Sequence, residues 1–344
     1  SRKSLRISYV SFRPLTHLLD HRAQARRLPC PEINHPVSSH ARILPPILVA
    51  GLFAILLWRT DMAELRDAFA QISAGHVVVG LGLVQLQIIL SAVRWRFTAQ
   101  RLGQTIGLGE AIREYYVASF LNQSLPGGMG GDAVRAWRMR VEGKGGWKLP
   151  AKGILYERLS GQVAFFLILA IGLPIWPMLI ADHSQLPFGW VTVALCMLGL
   201  FLAFGLRWLV RRSPHPILRQ ISEDAAEVFM RRQAWLIQSG LSVVVVTAYV
   251  AVFMIASHAI GASLPFEAAL TIIPLCLLSM LIPVGLGGWG TREAAAMALW
   301  PLFGFSAADG LAASLLYGTL SLAGSAPALI ILGLEAVGMR HRNG

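Results

Sequence analysis

Pro126-Gly127-Gly128-Met129-Gly130-Gly131-Asp132-Ala133-Val134-Arg135 is matched later in the chain by Pro283-Val284-Gly285-Leu286-Gly287-Gly288-Trp289-Gly290-Thr291-Arg292. Both follow the pattern Pro-x-Gly-x-Gly-Gly-x-x-x-Arg, and both lie inside strongly apolar stretches. Proline and glycine break a membrane helix, and an arginine at bilayer depth is costly. Two matching copies therefore predict two matching breaks built around charge. Gly/Pro-interrupted apolar segments in corresponding halves of a chain point to a transporter-type binding site.

The surrounding composition says what kind of protein carries the copies. Of 344 residues, 55% are hydrophobic and only 14% charged, with a mean hydropathy of +0.58. A soluble domain carries about a quarter charged residues. Apolar stretches long enough to approach the roughly 20 residues of a bilayer span recur at Ile43 to Trp58, His76 to Val93, Ile154 to Trp176, Phe188 to Trp208, Trp235 to Ile260 and Leu311 to Gly338. The fold class is thus an all-α polytopic integral membrane protein, with about six full spans plus the two Gly/Pro-broken segments. Cys30, Cys196 and Cys276 show neither a disulfide framework nor metal-type spacing, and no metal or cofactor is expected. His76, His183 and His258 lie near predicted span ends without partners at ligand spacing.

A net charge of +12 raises nucleic acid as a partner, but its placement argues against that class. With the N-terminus cytoplasmic, the inside holds 8 Lys/Arg through Arg42, 4 from Arg94 to Arg113, 7 from Arg135 to Arg158, 6 from Arg207 to Arg232 and 2 at the end, which is 27 of 30. This is the positive-inside signature, and it predicts both termini on the cytoplasmic side. The same basic surface attracts anionic lipid headgroups.

That orientation requires the two patterned regions to enter and leave on one side or to cross twice. Tyr115 to Leu125 and Ala133 to Arg140 flank the first turn and read as a hairpin dipping in from the cytoplasm. Ala268 to Ile282 and Glu293 to Phe303 flank the second, which follows an extracytoplasmic loop at Gly261 to Glu267. The second hairpin then dips in from outside, and full crossings by both arms keep the same parity. Similar elements in inverted orientation predict a site near the midplane where their tips meet.

Gly128, Gly130, Gly131, Gly285, Gly287 and Gly288 allow positive φ and close approach, so backbone N–H groups can face one cavity. A helix starting after each loop adds its positive end, and Arg135 and Arg292 supply guanidinium groups for a phosphate or carboxylate. Asp132 and Glu293 are counter-ions or protonatable coupling groups. Asn122, Gln123 and Ser124 are read mainly as caps for broken backbone. Glu157 and Arg158 project about 100° apart on a helix, which argues against pairing with each other. One of them facing the cavity and Arg158 snorkelling to the interface are both compatible with the sequence.

Ser119 to Pro126 with Gly131 to Arg135, then Tyr156-Glu157-Arg158-Leu159, then Ile282-Pro283 through Gly287-Gly288 and Arg292-Glu293-Ala294 resemble, in order, three signature stretches of the lysylphosphatidylglycerol synthase transmembrane-region family. The resemblance covers roughly Leu44 to Gly338. Pro126, Gly130, Asp132, Arg135, Glu157, Arg158, Pro283, Gly287, Gly288, Arg292 and Glu293 match the family pattern. It implies a flippase-like domain of the bacterial inner membrane that moves a lipid or lipid-linked molecule between leaflets. In multiple peptide resistance factors this domain is fused to a soluble synthase domain. Only six residues follow Gly338 here, so aminoacyl transfer is not expected. The resemblance leaves open a lipid-biosynthesis enzyme as partner, with hopanoid- and isoprenoid-linked pathways among the family's settings.

The predicted organisation is a disordered basic cytoplasmic leader at 1–42, the transmembrane domain at 43–338 and a short cytoplasmic tail at 339–344. The favoured function is translocation of a lipid with an anionic headgroup. A secondary transporter for a small anion and a non-transporting membrane subunit of a lipid or glycolipid pathway are the alternatives. No nucleotide-binding loop is present, so transport is expected to run by scrambling or an ion gradient.

Overall fold

The computed structural model describes residues 51, 54, 55 and 58, and residues 60–125, 128–140, 146–179, 215–282 and 287–343. The leader at 1–42, nearly all of the first predicted span, the span at 188–208, Cys30, Cys196 and His183 lie outside these residues, as do Pro126, Gly127 and Pro283 through Leu286. Among the described residues every regular element is helical: α1 (Met62–Ala70), α2 (Ala74–Arg101), α3 (Leu108–Ser124), α4 (Gly130–Arg138), α5 (Lys148–Leu179), α6 (Pro216–Phe229), α7 (Ala234–Ala259), α8 (Phe266–Leu270), α9 (Ile272–Ser279), α10 (Thr291–Leu299), α11 (Ala307–Ser325) and α12 (Pro327–Asn343). Among the described residues four stretches are long and apolar enough to cross a membrane: Ala74–Arg101, Lys148–Leu173, Arg231–Ala259 and Ala307–Val337. The chain is a multi-pass, all-α membrane protein.

The helices start and stop for local reasons. Ser73 accepts from the His76 amide and caps α2, while Ser306 and Asp309 form a reciprocal capping box at α11. Leu125, preceding Pro126, is extended at φ −102° and ψ 150°, and α3 stops there because a residue before proline is pushed out of the helical region. The last long helix breaks at Ala326, just before Pro327, which lacks an amide donor. Carbonyls in the last turn before that break are taken up from outside: Gln123 donates to Ser321 (3.2 Å) and Gln85 to Gly324 (2.9 Å). The carboxamide of Gln123 thus supports the break in a different helix from its own. Beyond the break α12 continues through Asn343, so the helix does not stop at Gly338.

Two of the predicted span edges fell short of the helices. The stretch ending at Val93 belongs to a helix running to Arg101, and the one opening at Ile154 to a helix that starts at Lys148. Arg94, Glu157 and Arg158 are therefore inside continuous helix rather than at a helix end. Arg94, counted from sequence with the basic cytoplasmic surface, and Arg135 and Arg158, counted there and also read as site residues, form internal ion pairs. The apolar residues around them cannot mark them as interior: Arg94 and Arg158 pair with acids on other helices, and Arg135, paired within α4 to Asp132, also approaches Glu157 on α5.

Packing is arranged around α2, α7 and α11, which contact one another, with the hairpin arms and α5 against them. Phe253 of α7 stacks on Tyr317 of α11 at 4.8 Å between ring centroids and lies 5.5 Å from Trp300. A smaller cluster of Trp95, Ala99, Ile106, Ala111, Ala136 and Ile154 lies beneath the first hairpin. Facing outward are Val79, Phe166, Ile171, Val243 and Ile330, all exposed. Apolar side chains outside and charged groups inside suit a hydrocarbon environment, where every buried polar group must find an internal partner.

Candidate functional site: a charged cavity at the two glycine turns

The first turn connects α3 to α4, whose arms approach so closely that a Cβ at Gly131 would collide with the Ala118 backbone. The second precedes α10 and uses positive φ at Gly287 (56°), Gly288 (87°) and Gly290 (93°). The turns meet. A Cβ on Gly128, itself at φ 65°, would stand 3.6 Å from the Gly287 Cα, and a Cβ on Gly287 would collide with backbone at Asn122 and Gln123. Glycine at 287 is required twice over, by its left-handed conformation and by the neighbouring chain.

Behind the first turn, five charged side chains form one network. Arg135, 1% exposed, donates from Nη2 to Asp132 Oδ1 (2.9 Å) and lies 3.7 Å from Glu157 Oε2. The other Asp132 oxygen accepts from Arg158 Nε. Glu157 Oε1 accepts from Arg94 Nη2 (2.5 Å) and the Tyr115 hydroxyl (3.3 Å). Arg94 Nη1 reaches Ser242 Oγ across the α2–α7 interface (3.3 Å). Thus Glu157 and Arg158 do not pair with each other; each joins a different partner, and both line the same cavity.

Behind the second turn the network is smaller. Arg292, 2% exposed, donates from Nη2 to Glu293 Oε1 (2.5 Å) and from Nε to Ser314 Oγ (2.9 Å). Ser314 also donates to Glu293 Oε1 (3.0 Å), and Glu293 Oε2 accepts from the Gly290 amide (2.6 Å). The guanidinium lies over Gly318, where any side chain would displace Arg292 or Trp289. Gly161 likewise leaves room for Arg94.

Each motif arginine also lies between two aromatic rings. The Arg135 guanidinium carbon is 4.4 Å from the Trp95 ring centre and 4.6 Å from that of Tyr115. For Arg292 the rings are Trp289 and Tyr317, each at 4.9 Å. Two aromatic faces offset part of the desolvation of a buried guanidinium. This matters for Arg135, whose Nε and Nη1 are buried without hydrogen-bond partners.

The cavity between the turns has a volume of about 260 Å³. Gly128, Asp132, Glu157, Arg158, Gly287 and Arg292 are on its wall; Arg135, Glu293, Gly130, Gly131 and Gly288 are not. Gly130 packs against Leu125 and Gly288 against Met280, while Gly285 lies outside the described residues. The backbone donors expected to face a ligand are partly occupied internally: Asn122 Oδ1 accepts from the Asp132 amide (3.2 Å), and Glu293 takes that of Gly290. Sequence reasoning missed Arg94, Gln87, Tyr115, Gln162, Tyr249 and Tyr317, all of which line the cavity. Arg94 carried a usable signal, an ionisable side chain within reach of an apolar span. The aromatic and amide residues carried none, since such residues are ordinary helix filler.

The model of the lysylphosphatidylglycerol synthase TM region matches residues 42–328. That stretch contains both glycine turns, the Glu157–Arg158 pair and every charged residue on the cavity wall. The chain belongs to this family. Membership associates the protein with membrane-lipid function, and the family region ends at 328, immediately beyond the Pro327 break. No curated protein matches the sequence.

Proposed function

We propose that this protein translocates a lipid or lipid-linked molecule with an anionic headgroup between leaflets of the bacterial inner membrane, without enzymatic chemistry of its own. The headgroup occupies the cavity between the glycine turns while the acyl chains stay in the bilayer. The observation that carries this reading is the shared wall: Arg158, next to the first hairpin, and Arg292, on the second, line one cavity at the place where the turns meet. The hairpins enter from opposite faces, with both chain termini cytoplasmic, and alternating access consists of one hairpin yielding against the other.

Purified protein in liposomes should accelerate dithionite quenching of inner-leaflet fluorescent phospholipid, and Arg158→Ala and Arg292→Ala should each slow it. Wild-type flipping by the double variant would overturn the assignment of the cavity. Uptake of a water-soluble anion without lipid movement would establish an anion transporter instead. Cysteines introduced at Trp147 and Ser263 should label from opposite sides of the membrane; labelling from the same side would end the inverted arrangement.

A further inference from the structure

The charges around the cavity do not balance. At the first turn three guanidinium groups, Arg94, Arg135 and Arg158, face two carboxylates, Asp132 and Glu157. At the second, Arg292 is matched by Glu293. Among the described residues the combined cluster therefore has a formal charge of one positive unit. In a low-dielectric interior an uncompensated charge is expensive, and a second negative charge beyond neutrality is expensive again.

The three guanidinium groups also differ in how open they are to a compensating charge. Side-chain exposure is 5% for Arg94 and 1% for Arg135 but 35% for Arg158. Among the described residues, only Nε of the Arg158 guanidinium has a hydrogen-bond acceptor, Asp132 Oδ2. Its two terminal nitrogens can offer paired donors to phosphate oxygens. Asp132 bridges Arg135 and Arg158, and so withdraws one unit of positive charge beside that binding position.

We infer that the cavity selects a headgroup carrying one negative charge, a phosphodiester rather than a phosphomonoester, and that Asp132 sets this count. The inference rests on the translocator reading above for the lipid nature of the ligand, but the charge selectivity is a property of the cavity itself. Asp132→Asn preserves shape and removes one negative charge, leaving two units to satisfy. Gln162, a neutral residue on the cavity wall one helical turn beyond Arg158, provides the opposite change, because Gln162→Glu brings the cluster to zero without touching the ion pairs.

The test is direct binding in detergent at pH 8, where a phosphomonoester with a second pKa of about 6 is dianionic. The probes are short-chain phosphatidylmethanol as monoanion, phosphatidate as dianion and diacylglycerol as neutral control, with dimethyl phosphate and methyl phosphate as their soluble counterparts. Wild type should bind the monoanion in preference to the dianion. Asp132→Asn should shift that ratio towards the dianion by roughly tenfold or more, and Gln162→Glu should weaken monoanion binding by a similar factor. The ratio is measured on whatever fraction of a variant is folded, so partial unfolding does not imitate the shift. An unchanged ratio in Asp132→Asn, or full monoanion affinity in Gln162→Glu, would overturn the inference. Selectivity confined to the soluble phosphates, with no lipid bound or flipped, would uphold the charge count and remove the lipid reading. Lipid flipping without selectivity between mono- and dianion would do the reverse.

Discussion

The two copies of the decapeptide share their glycines and arginine but not their backbone. In the first, Gly130 and Gly131 begin helix α4, and Arg135 lies in its second turn, three residues after its acid Asp132. In the second, Gly287 and Gly288 are left-handed, α10 does not start until Thr291, and Arg292 is adjacent to its acid Glu293. The outcome for the arginine is nonetheless similar: burial, a carboxylate, and a tryptophan and tyrosine on either side. The sources of the rings differ: Trp289 is local and Tyr317 comes from α11, whereas Trp95 comes from α2 and Tyr115 from α3. A buried guanidinium imposes the same requirements wherever it lies, and different chain paths meet them. The difference is in connectivity. The first cluster joins α2, α4 and α5 through Glu157, whereas the second is closed by its own turn and α11.

That asymmetry sets the order of the expected mutational effects. The largest follows from Glu157→Ala, which leaves Arg94 without its carboxylate and takes the second acid away from Arg135, and should lower stability by about 3–5 kcal/mol, the cost of breaking a buried ion pair. Thermal unfolding in detergent measures it, and a small loss would mean that the first cluster is not the more integrated of the two. Glu293→Gln should cost less, about 2–3 kcal/mol, because Arg292 keeps Ser314 and the amide side chain can still accept from Gly290. Equal losses for the two substitutions would erase the contrast.

Gly287→Ala addresses the point where the copies touch. The left-handed backbone alone costs roughly 1–2 kcal/mol, and the collision at Asn122 and Gln123 should move the turns apart and slow lipid movement more than it lowers melting temperature. The smallest effect belongs to the rings: Trp95→Leu and Trp289→Leu should each remove about 0.5–2 kcal/mol of cation–π stabilisation beyond the ordinary packing loss. Trp95 should be the more sensitive, because Arg135 has two unpartnered nitrogens while Arg292 has a supporting hydroxyl. Comparing each with its phenylalanine variant separates ring from volume.

Much of the architecture was legible without coordinates, because its signals are local. Helical class and membrane residence follow from runs such as His76 to Val93 and Trp235 to Ile260. Glycine at 131 and 287 announced close approach. Asn122, read as a cap, does accept a backbone amide. What escaped was partnership at a distance: Arg94 with Glu157 is separated by 63 residues, and Gln123 serves a carbonyl 198 residues away. His76 and His258, without partners on the sequence, pack edge to face at 5.4 Å.

By itself the sequence determined that this chain lives in a membrane, belongs to a lipid-associated family and breaks its helices twice around an arginine, because hydropathy, proline and glycine act through neighbouring residues. Only the tertiary structure decided that the turns touch, that Arg158 and Arg292 rather than both motif arginines line the cavity, and that three arginines face two acids at its first end. Net charge in a buried site is a sum over residues from different helices, and no stretch of chain contains that sum.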